Sequence, residues 1–291
     1  MKNRHIFEHN KQRKNTIMNN FGKTIHNLRT RRKMTQQELA QDLFDRSTIS
    51  KIENNELSTT YENEIKLITR LGLTPNEFEY ISNSYQVGTK DQLLYRFLNL
   101  DDNVDQEEIN GLLQDCLFVK NDEDIKRIAI ILKSLLLVNN AAAPAHAREL
   151  VQPIWFNYLR NIEVFTITDI TILNSILFAF DYQTANEIIT KIITNLDNRY
   201  PFMKELKANT LINQAIIQMK EHQFKSAVSI LNSLQPLLKS LRQYDKLLVV
   251  NARIAICQND KQKALEQVDL LQKIGAANLA KSLEQEVKQF L

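Results

Sequence analysis

Arg46, Ser47, Thr48, Ser50 and Lys51 stand close together in the chain, with Ile49 and Ile52 set among them at helical spacing. A guanidinium is a planar fork and can donate two parallel hydrogen bonds to the O6 and N7 of one guanine, a pairing that discriminates by roughly 1–3 kcal/mol. Hydroxyls and an ammonium suit phosphate oxygens, which hold register without reading sequence. Gln36 and Gln37 lie shortly upstream and can meet phosphate through side-chain or backbone N–H. Such a donor set suits the edge and backbone of duplex DNA.

Chemistry of other kinds finds less support. No G-x-S-x-G elbow, glycine-rich phosphate loop or H-E-x-x-H motif occurs. The acidic pairs Asp101-Asp102 and Glu107-Glu108 flank expected helix starts, where the macrodipole favours anions. Cys116 and Cys257 sit among apolar neighbours and read as small buried hydrophobes, while Trp155 and Phe156 read as packing residues. His5 and His9 have no carboxylate or thiol to complete a metal set. The chain is therefore expected to be no enzyme, with no cofactor and no metal.

The donors need elements to hold them. Only five Gly and five Pro occur in 291 residues, 43% of which are hydrophobic, so the chain reads as all-α. Five short helices are expected over residues 21–81. The first, over 21–32, buries Phe21, Ile25 and Leu28. Thr35 and Glu38 form a capping box ahead of Leu39, Ala40 and Leu43, and the next helix starts at Arg46 or Ser47 and buries Ile49 and Ile52. Ala40 is the small residue that lets these two helices approach. Ile65, Ile68 and Leu71 mark a fourth helix stopped by Gly72, and Pro75 begins a fifth with Phe78 and Ile81 inside. The pair around residue 40 has the form of a helix-turn-helix, in which the second helix enters the major groove and the first crosses the backbone.

Charge is uneven. Residues 1–60 hold twelve basic and six acidic side chains, and the net +3 of the whole chain leaves −3 for the remainder. A basic head on a mildly acidic body suits a protein whose head alone meets a polyanion. Residues 1–20 are basic and polar and are expected to be a disordered extension.

Beyond SNSYQVGTK (82–90), the expected linker, amphipathic helices follow with breaks near 101–103, 120–122, 139–144, 161–166, 197–201 and 259–260. Three stretches share one outline of helix end, polar turn, small Ala and second helix: ILFAFDYQTANEIITKII, AIIQMKEHQFKSAVSILNSL and ARIAICQNDKQKALEQVDLL. Their alanines, Ala185, Ala227 and Ala264, are 42 and 37 residues apart, the period of a helix-hairpin superhelix with a concave groove.

TQQELAQDL and STISKIENNELST resemble the Cro/repressor-like (XRE-type) helix-turn-helix. That family usually places a Gly in the turn and one more residue before the second helix; here Phe44-Asp45-Arg46 is one residue shorter. The contracted form resembles the Rgg/GadR/MutR regulators, and NSILFAFDYQTANEI, YPFMKELKANTLIN and ARIAICQNDKQKAL look like the corresponding helices of that family. The likeness implies a cytoplasmic transcription regulator of Gram-positive type. It further implies a homodimer formed through the TPR-like repeat domain of residues 91–291, and a short signalling peptide bound in the groove. Some relatives carry a turn cysteine that bridges two subunits; Phe44 stands there, so no such disulfide is expected. Because an extended peptide needs donor–acceptor amides, Asn174, Asn209, Asn213 and Asn251 are candidate peptide contacts, and Arg148 is a candidate for a peptide carboxylate. The alternative is a DNA-binding protein whose repeat domain docks a partner protein or senses a metabolite or acidity.

No apolar run reaches the roughly 18 residues that span a bilayer; the longest, over 128–138, is interrupted by Lys133 and Ser134. The first residues lack the apolar core of a secretion signal, and two cysteines make no disulfide framework. A cytoplasmic location is the expectation.

Overall fold

The computed structural model describes residues 21–100, 106–139 and 144–291. Among the described residues every regular element is helical. The chain divides into two compact units, Met1–Gln92 and Leu93–Leu291. The expected extension over 1–20, with His5 and His9, and the acidic pair Asp101-Asp102 lie outside the described residues.

The first unit is built from α1 (Phe21–Arg31), α2 (Gln36–Ala40), α3 (Arg46–Glu53), α4 (Tyr61–Arg70) and α5 (Pro75–Ser82). Three of these starts have a chemical cause in a side-chain cap. Thr35 and Glu38 close a reciprocal capping box on α2, and Thr74 and Glu77 repeat it on α5 behind Pro75. Thr60 caps α4 through the Asn63 N–H. Gly72, at φ 66°, ends α4 in the left-handed region. Ile25, Leu28, Leu39, Ala40, Ile49, Ile52, Leu67, Ile68, Leu71 and Phe78 form one core. Gly22 marks a close approach of α1 to α3, since a Cβ there would lie 1.9 Å from the Ile52 carbonyl oxygen.

A further helix, α6 (Thr89–Leu98), opens inside the expected linker and carries the chain past the division at Gln92. The second unit continues with α7 (Gln106–Leu117), α8 (Glu123–Asn139) and α9 (Pro144–Pro153). After Pro153 the chain widens into one π turn, Ile154–Tyr158. Trp155 is fully buried there, but Phe156 is 43% exposed and packs edge-on against Phe180, so only the first of the two is a core residue.

Seven helices complete the unit: α10 (Ile167–Ile176), α11 (Tyr182–Arg199), α12 (Lys204–Lys220), α13 (Phe224–Ser240), α14 (Tyr244–Cys257), α15 (Lys261–Lys273) and α16 (Ala277–Phe290). They form antiparallel hairpins in which α12 packs on α13, α14 on α15 and α13 on α14, while α10 meets α12 and α14 meets α16 one hairpin on. Ala185, Ala227 and Ala264 are all buried in the second helix of their hairpins, where a longer side chain would hold the helices apart. This is the TPR-like repeat arrangement expected from the period.

The turns between α12 and α16 share one geometry. His222, Arg242, Asn259 and Gly275 adopt positive φ, and the following residue's N–H returns to a carbonyl five positions earlier, as in Gln243 N to Leu238 O at 3.0 Å. Of these breaks, 241–243 and 274–276 were not expected. The break expected at 197–201 falls later, because α11 runs to Arg199.

Candidate nucleic-acid interface

The donor-rich helix α3 is fastened by its aliphatic side. Ile49 and Ile52 are buried at 0% and 2% exposure, which turns the opposite face outward. Arg46, Ser47 and Lys51 are exposed, and Thr48 and Ser50 are half-buried beside them. Asp45 is the N-cap, and its carboxylate makes no capping bond. An open depression of about 650 Å³ is lined by Gln36, Asp45, Arg46, Ser47, Ser50, Lys51 and Glu56. Gln37 is exposed at the start of α2.

Gln36 sits differently from its expected role. Its Nε2 donates to Glu53 Oε2 at 2.9 Å, committing the amide to the protein's own framework. Glu53, itself buried, is the hub of a partly buried polar cluster. Arg29 grips it from two nitrogens, Nε to Oε1 at 2.5 Å and Nη2 to Oε2 at 2.9 Å, and His26 Nδ1 lies 3.0 Å from Oε2. Burial pushes the Glu53 carboxyl up, but donation from Arg29, Gln36 and His26 outweighs it and holds the group below the usual carboxylate range. The hydrogen bond to Glu53 holds the Arg29 guanidinium above its ordinary value against its own burial. One carboxylate at the end of α3 thus ties that helix to α1 and α2.

Charge on this unit is local. Residues 21–81 carry nine basic and nine acidic side chains, so the folded helices are neutral as a whole. Most of the basic excess of residues 1–60 belongs to 1–20, which hold five basic residues and one acidic. Any attraction of α3 for phosphate depends on the placement of Arg46 and Lys51.

This geometry is that of a known domain. Residues 25–78 match the helix-turn-helix family. They are a helix-turn-helix domain. α2 and α3 are its paired helices, and the contracted turn of residues 41–45 joins them.

No curated protein matches the chain in sequence. Solved structures share its fold. The SHP pheromone receptor Rgg2 of Streptococcus dysgalactiae is 19% identical, with a TM-score of 0.65 over 93% of this chain and 100% of that one. PlcR of Bacillus thuringiensis, solved with the peptide PapR7 and DNA, is 12% identical, with a TM-score of 0.63 over 90% of this chain and 99% of that one. ComR of S. thermophilus, solved with DNA and its signalling peptide ComS, is 14% identical, with a TM-score of 0.59 over 92% and 99% of the two chains. The helix-turn-helix of this chain is thus followed by the same kind of helical repeat unit.

In the second unit, the five candidate peptide contacts fall into four settings. Asn174 on α10 and Asn213 on α12 meet directly, with Asn213 Nδ2 donating to Asn174 Oδ1 at 3.1 Å. Asn209, one turn before Asn213, accepts from Lys246 Nζ of α14 at 2.8 Å, and the same ammonium pairs with Glu205. Asn251 faces elsewhere and accepts from Gln235 Nε2 of α13 at 3.0 Å. Arg148 is exposed on α9, one turn before Gln152, whose Nε2 donates to Ala179 O. Lys246 escaped the sequence reading because lysine early in a helix usually signals solvent.

The cysteines are chemically quiet. Burial is the main cause that pushes both thiols up to about 11. Cys116 is fully buried, whereas Cys257 is only half-buried, less than its apolar neighbours suggest. Among the described residues no group of His, Cys, Asp and Glu could hold a metal ion, and no helix is long and apolar enough to cross a membrane.

Proposed function

We propose that this chain is a sequence-specific DNA-binding transcription regulator, controlled by a short signalling peptide held on the amide-bearing helices of its repeat unit. In this reading residues 21–81 read the duplex, 82–90 connect, and 91–291 carry the peptide and the contact of a cytoplasmic homodimer. The observation that carries it is α3 itself. Its apolar face is locked into the core while Arg46, Ser47 and Lys51 stand outward and make no ion pair among the described residues. Arg46 reads base edges, with Ser47, Thr48, Ser50 and Lys51 beside it, and Gln37 meets phosphate at the start of α2. Gln36 acts through Glu53, orienting α3 from behind. Two such helices in a two-fold dimer would sit about 34 Å apart, or at a multiple, matching successive turns of one DNA face.

The peptide part has its own support. Rgg2 is a pheromone receptor, and PlcR and ComR were solved with their peptides bound. Asn174, Asn209 and Asn213 are half-buried on neighbouring first helices of successive hairpins, so they offer paired donors and acceptors to an extended backbone. Asn251 and Arg148 would extend that face only if they turn toward it on binding. A peptide alters gene control only through a difference in affinity between two states of the dimer.

The test begins with selection of duplexes from a random-sequence pool. The enriched duplex is then titrated with the protein while short peptides encoded beside its gene are added. A selected motif with two half-sites, and an affinity that shifts with one peptide, is the expected result. Enrichment of no motif contradicts the reading.

A further inference from the structure

The contracted turn holds a strained residue. Gln41, directly after α2, lies at φ 44° and ψ −120°, a combination that glycine adopts readily and a residue with a Cβ does not. The short turn also disturbs the end of α2. Leu43 N donates to Ala40 O at 2.9 Å rather than to Leu39 O, which leaves the Leu39 carbonyl without a helical partner.

Arg70, the last residue of α4, supplies the missing donor. Its Nη1 donates to Leu39 O at 3.1 Å and also to Ala40 O, while Nη2 donates to the Asp42 carboxylate. The three acceptors flank Gln41 on both sides. The Arg70 side chain is only 20% exposed while Asp42 is 88% exposed, so the guanidinium is held by its surroundings and the turn is drawn onto it. A cation at the C-terminal end of α2 also complements that helix's partial negative charge.

We propose that Arg70 is a positioning residue for DNA reading: it clamps the strained turn and so fixes where α3 begins relative to α2. Arg70 acts through residues 41–45, and the proposal rests on the DNA-reading role given to α3. Ile49 and Ile52 keep α3 in the core whether or not the clamp is present. Loss of the clamp therefore moves the leading edge, Asp45 to Thr48, without unfolding the unit. Lysine at this position keeps charge and stem but has one nitrogen, which cannot span three acceptors as the fork does.

The experiment uses the full chain, the duplex that the wild type enriches from a random-sequence pool, and the unselected pool as competitor. Arg70→Lys should lower the ratio of selected to random affinity about tenfold, and Asp42→Ala should lower it less, with thermal midpoints close to wild type. Arg70→Lys with Gln41→Gly should recover most of the ratio, because glycine removes the strain the clamp opposes. Amide hydrogen exchange, which needs no DNA, should quicken at Leu43 in Arg70→Lys while Ile49 and Ile52 keep their protection. An unchanged ratio together with unchanged exchange at Leu43 overturns the assignment. Failure of glycine to restore the ratio does so as well. A wild type with no preference for any duplex instead contradicts the DNA-reading role, and that outcome is visible before any variant is made.

Discussion

Asn213 reaches from α12 across to Asn174 on α10, its Nδ2 3.1 Å from the Asn174 Oδ1 and 3.4 Å from the backbone oxygen of the same residue. An amide pair across adjacent helices can reopen toward an extended peptide, because each side chain keeps both a donor and an acceptor. Asn213→Ala should weaken binding of the cognate peptide by roughly 1–2 kcal/mol, the loss of one or two hydrogen bonds, and leave DNA affinity without peptide unchanged. Calorimetric titration with the peptide measures it. Undiminished peptide affinity removes Asn213 from the site.

Acidification should act on the first unit through Glu53. Its native carboxyl is held below the usual range, so the unfolded chain, near the ordinary value of about 4.3, takes up the proton first as pH falls. The stabilisation is complete above that ordinary value and is lost as pH falls through the lower native one. Thermal melts of wild type and Glu53→Gln, taken at pH 7 and downward from pH 5, should converge as acid increases. Parallel curves throughout would mean that Glu53 does not control the acid response.

Two glycines should respond in opposite directions. Gly22→Ala forces a Cβ against the Ile52 carbonyl and must part α1 from α3, a strain of roughly 1–3 kcal/mol. Gly111 is exposed inside α7 with nothing within 4 Å of a Cβ, so Gly111→Ala should stabilise by roughly 0.5–1 kcal/mol. Denaturant melts of both variants settle the comparison; a harmless alanine at 22 would refute the close approach.

Arg253 and Glu286 join α14 to the last helix by two bonds, at 2.8 and 2.6 Å, with Arg253 almost fully buried. Arg253→Met removes the buried charge while filling its space, whereas Glu286→Ala strands it. The second should cost more, on the order of 3 kcal/mol, and should loosen α16 first. Hydrogen exchange along α16 is the measure, and equal protection in the two variants would go against it.

Much of this architecture was legible because it rests on local rules. Thr35 with Glu38 announces a helix start by short-range bonding, and the burial of Ile49 and Ile52 follows from a period of 3.6. Ala185, Ala227 and Ala264 revealed the hairpins because close helix crossings need small residues. The unexpected turns at Arg242 and at Gly275 are instructive together. The Schellman geometry is the same in both, yet Leu241-Arg242-Gln243 contains no breaker, and the hydrogen bonds that close the turn leave no compositional trace.

The candidate site was less legible where partners are distant in sequence. Glu53 looks like an ordinary charged residue at a helix end until Arg29, 24 positions earlier, folds against it. Gln36 looked free for phosphate for the same reason. Arg70 carries no motif, and its role exists only because a turn one residue short leaves a carbonyl exposed. Asn251 shared its helical setting with the other asparagines, but rotation about α14 directs it to Gln235.

The most direct test concerns Arg46 at the head of α3. Binding of Arg46→Ala to the selected duplex and to the unselected pool, at one salt concentration, separates reading from simple attraction. The account predicts a loss of roughly 1–3 kcal/mol on the selected duplex and a much smaller loss on the pool. Equal losses on both would contradict it, leaving Arg46 as a phosphate contact and α3 without its reading head.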